Sequence, residues 1–239
     1  MKVNIFIACI FLTIVPASSY AQVISRADGF FFKEFRPSGE SGTKGGLGPD
    51  SISYDKIDGS AYWVDAFRTA KLYDSKGYVA TLPVRINLLT NQIHFLKDND
   101  EMVVDDYVIN RVVFLGNNDS TVFIGQVPHL LVNNKPFNKL VQVLNAGKYQ
   151  MLKYTSRNVT SEETPSHTSR TYQYKDTYRY FMRSEERVDD IKKLSSENIL
   201  IYLPVASSYN DWIKENKINF KSEKDIIRFL NHYNSNIKN

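Results

Sequence analysis

Cysteine is almost absent from this 239-residue chain, and the single one, Cys9, lies inside the first apolar run. Small residues follow that run, and Ser19 and Ala21 fit the cleavage positions of a signal peptide cut before Gln22. We therefore predict that residues 1–21 are a Sec-type signal peptide and that the mature chain has no cysteine. This excludes disulfides, thiol catalysis and cysteine-ligated metal centres from the mature protein.

Long apolar runs and blocks of like charge are also missing. The N-terminal run is shorter than the ~20 residues that span a bilayer, so we expect no transmembrane span after cleavage. The 30 Lys and Arg and 26 Asp and Glu are interspersed and give a formal net charge of +4. Nucleic-acid binding needs a clustered basic face, so no nucleic-acid partner is expected. The predicted location is the periplasm, the outer-membrane periphery or the extracellular medium.

The motifs of common enzyme classes do not occur. There is no Gly-x-Ser-x-Gly elbow, no HExxH and no P-loop pattern. The acidic residues between 98 and 106 lack the ligand offsets of an EF-hand, and Asp98-Asn99-Asp100 is typical of a turn. The four histidines share no short metal-ligand spacing: His94, His129, His167 and His232. We predict no catalytic residue, no metal site and no cofactor, which favours a non-enzymatic role without deciding it.

Glycine is concentrated in one segment. Residues 36–50, RPSGESGTKGGLGPD, contain five of the eleven glycines and show no hydrophobic period, which is typical of a linker. The preceding residues 24–35 include four phenylalanines and are expected to pack on the main body. Residues 22–58 are therefore predicted to form an N-terminal aromatic segment followed by this Gly-rich linker.

Residues 59–192 have β character. The even positions from Tyr78 to Leu88 are all apolar, which predicts a strand with one face in the core. Pro83 indicates an edge position or a bulge in that strand. Further short β-prone runs, separated by Gly, Asn and Asp turns, predict an antiparallel meander. The polar, Ser/Thr-rich residues 157–170 are expected to form an exposed loop.

The period changes to helical in residues 193–239. Ser222 and Asp225 resemble a capping box, and an apolar stripe at helical spacing follows them. Shorter helices are predicted over 208–217 and 195–202. The predicted fold class is α+β: an antiparallel β-meander or curved sheet followed by a small C-terminal helical segment packed on it. The stripe consists of Ile226, Phe229, Leu230 and Tyr233.

Tyrosine is abundant, with 15 in the chain, and its densest cluster is TYQYKDTYRYFMR at 171–183. At period two its tyrosines share one face, and Lys175, Arg179 and Arg183 share the other. A tyrosine ladder could stack on sugar rings or anchor a protein partner. It could equally be a strand whose rings cover the sheet. The candidate binding residues are Tyr172, Tyr174, Tyr178 and Tyr180.

Three passages resemble uncharacterised exported proteins of Bacteroidetes-type bacteria, over roughly residues 59–235. They are GSAYWVDAF at 59–67, LPVRINLLTNQIHFL at 82–96 and KSEKDIIRFLNHYNS at 221–235. The resemblance implies a cell-envelope location and a β-rich body with a helical tail. It carries over no active site.

The sequence leaves several function classes open. We hypothesise an exported, non-enzymatic envelope protein that binds a protein or another envelope component. One alternative is a carbohydrate-binding or carbohydrate-active protein, which needs an aromatic cleft and, for catalysis, two carboxylates roughly 5 to 10 Å apart. Another is a periplasmic lipid carrier, which needs a sizeable apolar cavity. The oligomeric state is not indicated.

Overall fold

The computed structural model describes residues 32–34, 54–104, 108–116, 120–163, 170–185 and 187–237. The predicted signal peptide, 1–21, and Gly-rich linker, 36–50, lie outside these residues. Within the described residues, 12 strands form one sheet, two more form a separate hairpin, and helices follow at the C-terminal end. This confirms the predicted α+β class with its helical C-terminal segment.

The first seven strands are β1 (Phe32–Glu34), β2 (Ile57–Asp58), β3 (Arg68–Asp74), β4 (Gly77–Asn87), β5 (Gln92–Lys97), β6 (Asp100–Val104) and β7 (Arg111–Phe114). The next seven are β8 (Thr121–Ile124), β9 (Leu131–Val132), β10 (Lys135–Pro136), β11 (Val141–Val143), β12 (Gln150–Glu163), β13 (Arg170–Arg183) and β14 (Val188–Ile191). The helices are α1 (Ser196–Leu200), α2 (Asn210–Glu215) and α3 (Glu223–Asn236).

The main sheet is an open antiparallel meander with one exception. Its strand order is β1-β6-β5-β4-β3-β7-β8-β11-β12-β13-β14, and β2 pairs with β13 in parallel orientation. The curvature of the sheet brings the β4–β5 turn against β12. There Arg157 of β12 donates its backbone N–H to Leu88 O in the turn at 3.3 Å. Nearby, Asn91 Oδ1 accepts the Leu140 N–H at 2.9 Å.

Strand β4 follows the predicted alternation except at its start. Ala80, Val84 and Ile86 are buried, as expected. Tyr78 is 40% exposed, so its predicted place on the core face is wrong. The register between β3 and β4 shifts between Leu72 and Tyr73, and this bulge reverses the facing of the residues before Ala80. Pro83 lies just outside the last β4–β5 pair, where a missing N–H donor costs no ladder bond.

Where the structure describes the expected loop at 157–170, at 157–163 and at 170, it is strand, and residues 164–169 lie outside the described residues. Strands β12 and β13 are each 14 residues long and pair continuously from Gln150 with Arg183 to Glu163 with Arg170. The half of the hairpin nearer Glu163 and Arg170, its distal half, is polar because much of both its faces is exposed to solvent. It therefore lacks the apolar alternation that marks a half-buried strand. Pairing with the tyrosine-rich strand, which the local sequence does not show, decides its conformation.

Three apolar clusters form the core, and the β12–β13 hairpin contributes to two of them. Residues of β3–β8 make the first cluster. Met151 and Met182 point into the second, beneath the helices. Leu152 and Phe181 point the other way, into the third cluster beside β8 and β11. The hairpin therefore carries apolar packing on both faces at its proximal end and is polar at its distal end.

Helix α3 begins and packs largely as predicted. Ser222 Oγ accepts the Asp225 N–H at 3.3 Å, and the apolar stripe is buried in the second cluster. The Asp225 carboxylate accepts a longer bond from the Asn219 N–H, at 3.4 Å, so the capping box is not reciprocal. Within the described ranges, no helix combines the length and apolarity needed to cross a membrane.

Candidate functional site

The four tyrosines named from the sequence share one face of β13, as the period of two predicts. Direct cross-strand pairing places each of them opposite a β12 residue on the same face. The pairs are Tyr172 with Ser161, Tyr174 with Val159, Tyr178 with Thr155, and Tyr180 with Lys153. Arg157 and Asp176 form the central pair on this face.

Tyr180 belongs to the junction between the sheet and the helices. Its hydroxyl donates to Glu223 Oε2 at 2.8 Å, at the first residue of α3. Lys153 Nζ lies 2.8 Å from the same oxygen. Burial, together with the hydrogen bond to Glu223, raises the pKa of the Tyr180 hydroxyl. The Tyr180 hydroxyl is thus committed to holding α3 against β13.

Tyr174 is covered by the chain that leaves β2. A β-carbon at Gly59 would lie 3.5 Å from Tyr174 Cδ2, which is ordinary contact distance, and Gly59 has φ of +95°. The Tyr174 hydroxyl is buried and has no hydrogen-bond partner within the ranges that the structure describes. Burial raises its pKa to about 12. Tyr172 is half-buried and pairs in parallel with Ile57 of β2.

Tyr178 is the exposed member of the set, with 54% of its surface accessible. Lys153 Nζ lies 4.4 Å from the centroid of its ring, within cation–π distance. Tyr178 and Tyr180 also line a shallow hollow of about 350 Å³ between β13 and the segment after β14. Lys192 and Lys193 lie on its other side. An aromatic ring with a polar tip next to these cations is a surface that suits binding.

The centre of the tyrosine face is fixed by an ion pair. Arg157 binds the Asp176 carboxylate through Nε at 2.6 Å and Nη2 at 2.8 Å. Its Nη1 donates to the carbonyl oxygens of Ser60, at 2.5 Å, and Tyr62, at 2.7 Å. The Arg157 guanidinium holds the pKa of Asp176 below its usual range. These bonds draw residues 60–62 across the face and leave Tyr178 uncovered beside them.

The edge of β13 that faces away from β12 is only partly paired. β2 pairs with Tyr172 and Gln173, and β14 pairs with the stretch from Tyr180 to Arg183. Between them, residues 174–179 have no neighbouring strand on this side within the described part of the chain. We call this stretch the open edge. An unpaired edge presents backbone N–H and C=O groups to any strand that can approach it.

A buried polar network, which the sequence reasoning missed, lies on the other half of the sheet. Arg85 binds both oxygens of Glu101 at 2.8 Å, and His94 Nδ1 lies 2.7 Å from Glu101 Oε1. The Arg85 guanidinium stacks 3.6 Å from the Tyr62 ring centroid. Arg85 and His94 are direct partners in the β4–β5 pair, a contact that the sequence could have indicated only with the register of that hairpin known.

This network has the geometry of a structural tie. His94 is fully buried, and burial lowers its pKa despite the opposing effect of its hydrogen bond to the Glu101 carboxylate. Burial alone would raise the pKa of Glu101, but the hydrogen bonds from His94 and Arg85 outweigh it, so that pKa is lowered. A charged carboxylate held by a guanidinium and a solvent-free imidazole has no open position for a substrate. The network instead joins the segment around Tyr62 to β4, β5 and β6.

Metal-ligating residues do not gather in the described part of the chain: no group of three or more His, Cys, Asp or Glu could hold an ion there. The open edge and the exposed ring of Tyr178 together place unpaired backbone groups beside an accessible aromatic side chain. Comparison with known proteins adds no relative, because no family model, no curated protein and no solved structure matches the chain.

Proposed function

We propose that this chain is a non-enzymatic binding protein of the cell envelope, which receives an extended segment of a partner protein at the open edge of β13. The observation that carries the proposal is the unpaired stretch 174–179 between β2 and β14. In such binding a peptide adds a strand to the sheet. Backbone hydrogen bonds then supply affinity, and side chains along the edge supply specificity.

The backbone groups on this edge point outward at even-numbered residues. Ser184 donates its N–H to Arg187 O at 2.9 Å, so residue 184 faces the β14 side. Backbone direction alternates along an antiparallel strand. Tyr174, Asp176 and Tyr178 therefore present their N–H and C=O groups to the open edge. The same three residues carry their side chains on the tyrosine face.

The size and charge of the open edge define the partner segment. Six residues of strand are about 20 Å long, which suits a peptide of similar length. Lys175 and Lys193 are exposed, and neither has a carboxylate partner among the described residues. Charge complementarity therefore favours a segment that carries acidic residues. The exposed ring of Tyr178 offers apolar contact to side chains that alternate onto its face.

The envelope location rests on the N-terminal sequence and on the family resemblance. A glycan partner is the alternative that the exposed ring of Tyr178 supports, because sugar rings stack on tyrosine without needing backbone donors. The lipid-carrier alternative gains no support from the sheet interior, where side chains such as Val84, Ile86 and Phe95 are packed to 1% exposure or less. A decisive experiment therefore has to separate a peptide ligand from a glycan.

The test compares two substitutions at one position. Both Tyr178→Pro and Tyr178→Thr remove the ring, but only proline removes the outward N–H. Extended peptides are selected from a displayed random library on the purified chain, and their affinity is measured by fluorescence polarisation. We expect Tyr178→Pro to weaken peptide binding about tenfold more than Tyr178→Thr. That difference corresponds to the loss of one or two neutral hydrogen bonds between the peptide and the edge.

Amide hydrogen exchange completes the experiment. Peptide binding is expected to slow exchange at Tyr174, Asp176 and Tyr178 in the wild-type chain, since these amides become ladder donors. Equal losses in the two variants, or protection elsewhere on the sheet, would overturn the strand-addition proposal. Binding to a glycan array that depends on the ring and not on the N–H would replace the peptide with a sugar ligand.

A further inference from the structure

A second hollow, separate from the open edge, lies at the C-terminal end of β13. It has a volume of about 410 Å³, is open to solvent, and is lined by the segment before β9, the turn before β12 and the β13–β14 turn. Arg183, Lys148, Arg187 and His129 line it, together with one described carboxylate, Glu185. Volumes of this order accommodate small ligands. Basic side chains from three parts of the chain thus face one space.

Arg183 is the notable member of this group, because it is half-buried and has no anionic partner among the described residues. Its guanidinium donates to the neutral side-chain oxygen of Gln150, the residue opposite it on β12. Burial lowers its pKa, and no carboxylate offsets that effect. A guanidinium remains charged under all ordinary conditions. The free-energy cost of partly burying that charge is therefore present in the folded chain. An anion in the hollow would remove the cost.

The neighbouring cations differ in how firmly they are engaged. Arg187 is bound by both oxygens of Asp189. Lys148 Nζ lies 3.4 Å from Glu185 Oε2, and both side chains are well exposed, at 41% and 68%. Exposed pairs of this kind contribute little and exchange partners easily. Lys148 is therefore available to a ligand in a way that Arg187 is not.

We infer that Arg183, Lys148 and His129 form a binding site for a phosphate group. A planar carboxylate would be satisfied by the guanidinium alone. A phosphate carries more acceptor oxygens and more charge, and it can accept hydrogen bonds from donors on three different segments at once. The site is independent of the open edge, since Arg183 lies at the C-terminal end of β13 and on the other face from Tyr174, Asp176 and Tyr178.

The test uses the full purified chain and inorganic phosphate at constant ionic strength, with chloride as the balancing salt. Ligands that bind the native state raise the unfolding midpoint in a saturable way. We expect phosphate to do so for the wild type and for Arg170→Gln, an exposed arginine on the same strand paired with Glu163. Arg183→Gln should weaken phosphate binding about tenfold or more, as expected for a lost charge-assisted pair.

A second arm identifies the source of the phosphate group. Sedimentation with phosphatidylglycerol vesicles, compared with phosphatidylcholine vesicles, detects a lipid headgroup. Arg183-dependent binding of either probe supports the site and says whether the ligand is a solute or a membrane. If Arg183→Gln does not fold, Lys148→Gln at the exposed position serves instead. No saturable effect of either probe, or equal losses in Arg170→Gln and Arg183→Gln, would overturn the inference.

Discussion

Burial and hydrogen bonding give the tyrosines of β13 different roles although they share one face. The hydroxyl of Tyr180 is bonded to Glu223 of α3, and the Tyr174 hydroxyl is buried beneath the chain that leaves β2. Tyr178 has neither cover and is 54% exposed. Of the four residues that the sequence brought together as a binding surface, Tyr178 is therefore the one best placed to contact a ligand.

The buried His94 predicts a pH dependence of stability. Its pKa in the folded chain lies below the ordinary value of 6.5, so the unfolded chain binds more protons as the pH falls. The contribution is fully present above pH 6.5 and is lost progressively below it. We expect the free energy of unfolding, measured by urea denaturation, to fall between pH 7 and pH 5, by at most about 1.4 kcal/mol per pH unit.

Substitution separates His94 from the other titrating groups. His94→Gln keeps a polar side chain that cannot be protonated, so the slope between pH 7 and pH 5 should flatten even if overall stability drops. Loss from Glu101, whose pKa is also lowered, follows only as the pH falls below its ordinary 4.5. An unchanged slope in His94→Gln would contradict the assignment.

At the scale of elements, the sequence predicts strands and helices well where one face is apolar and poorly where neither is. The alternation in β4 and the stripe of α3 were sufficient. The sequence of the distal half of β12 was not sufficient, because its polar residues form a strand through their pairing with β13. The open edge was also beyond local pattern, since it depends on where β2 and β14 stop pairing.

The N-terminal cap of α3 predicts a local effect on stability. Ser222 Oγ satisfies the Asp225 N–H, one of the helix's otherwise unpaired donors. Ser222→Ala should therefore lower the free energy of unfolding by about 1 kcal/mol, as measured by denaturant titration. Ser235→Ala, which removes an exposed bond to Asn231 O near the end of the same helix, should change it by less than about 0.5 kcal/mol. Equal effects would argue against the cap.

At the scale of the whole molecule, the β12–β13 hairpin joins the helices to the rest of the sheet. It packs against the second cluster, beneath the helices, on one face and against the third cluster, beside β8 and β11, on the other. Neither cluster can lose the hairpin without exposing apolar surface in both. We therefore expect the described body to unfold as one cooperative unit.

The two tryptophans test this cooperativity. The ring centroids of Trp63 and Phe114 are 5.2 Å apart in the first cluster. Trp212 stacks on His232 in the helical region, with ring centroids 4.0 Å apart. Trp63→Phe and Trp212→Phe each leave a single fluorescent reporter, of one region or the other. For each variant, the denaturation curve followed by tryptophan fluorescence should coincide with the curve followed by circular dichroism, which reports the loss of secondary structure. Comparing the two curves within one variant removes any difference in stability between the variants. An earlier transition at Trp212 would show that the helices detach first.

The parallel pairing of β2 closes a long loop with very little contact. Ile57 and Asp58 meet residues more than a hundred positions later in the chain, through two residue pairs. Closing a loop of that length costs chain entropy, which the adjoining bonds from Arg157 to Ser60 and Tyr62 help to offset. Among the strands that border the open edge, β2 should therefore be the first to open transiently in the native state. A bound peptide could then extend past Tyr174 by displacing β2, so the length of the binding edge is set by a local opening equilibrium.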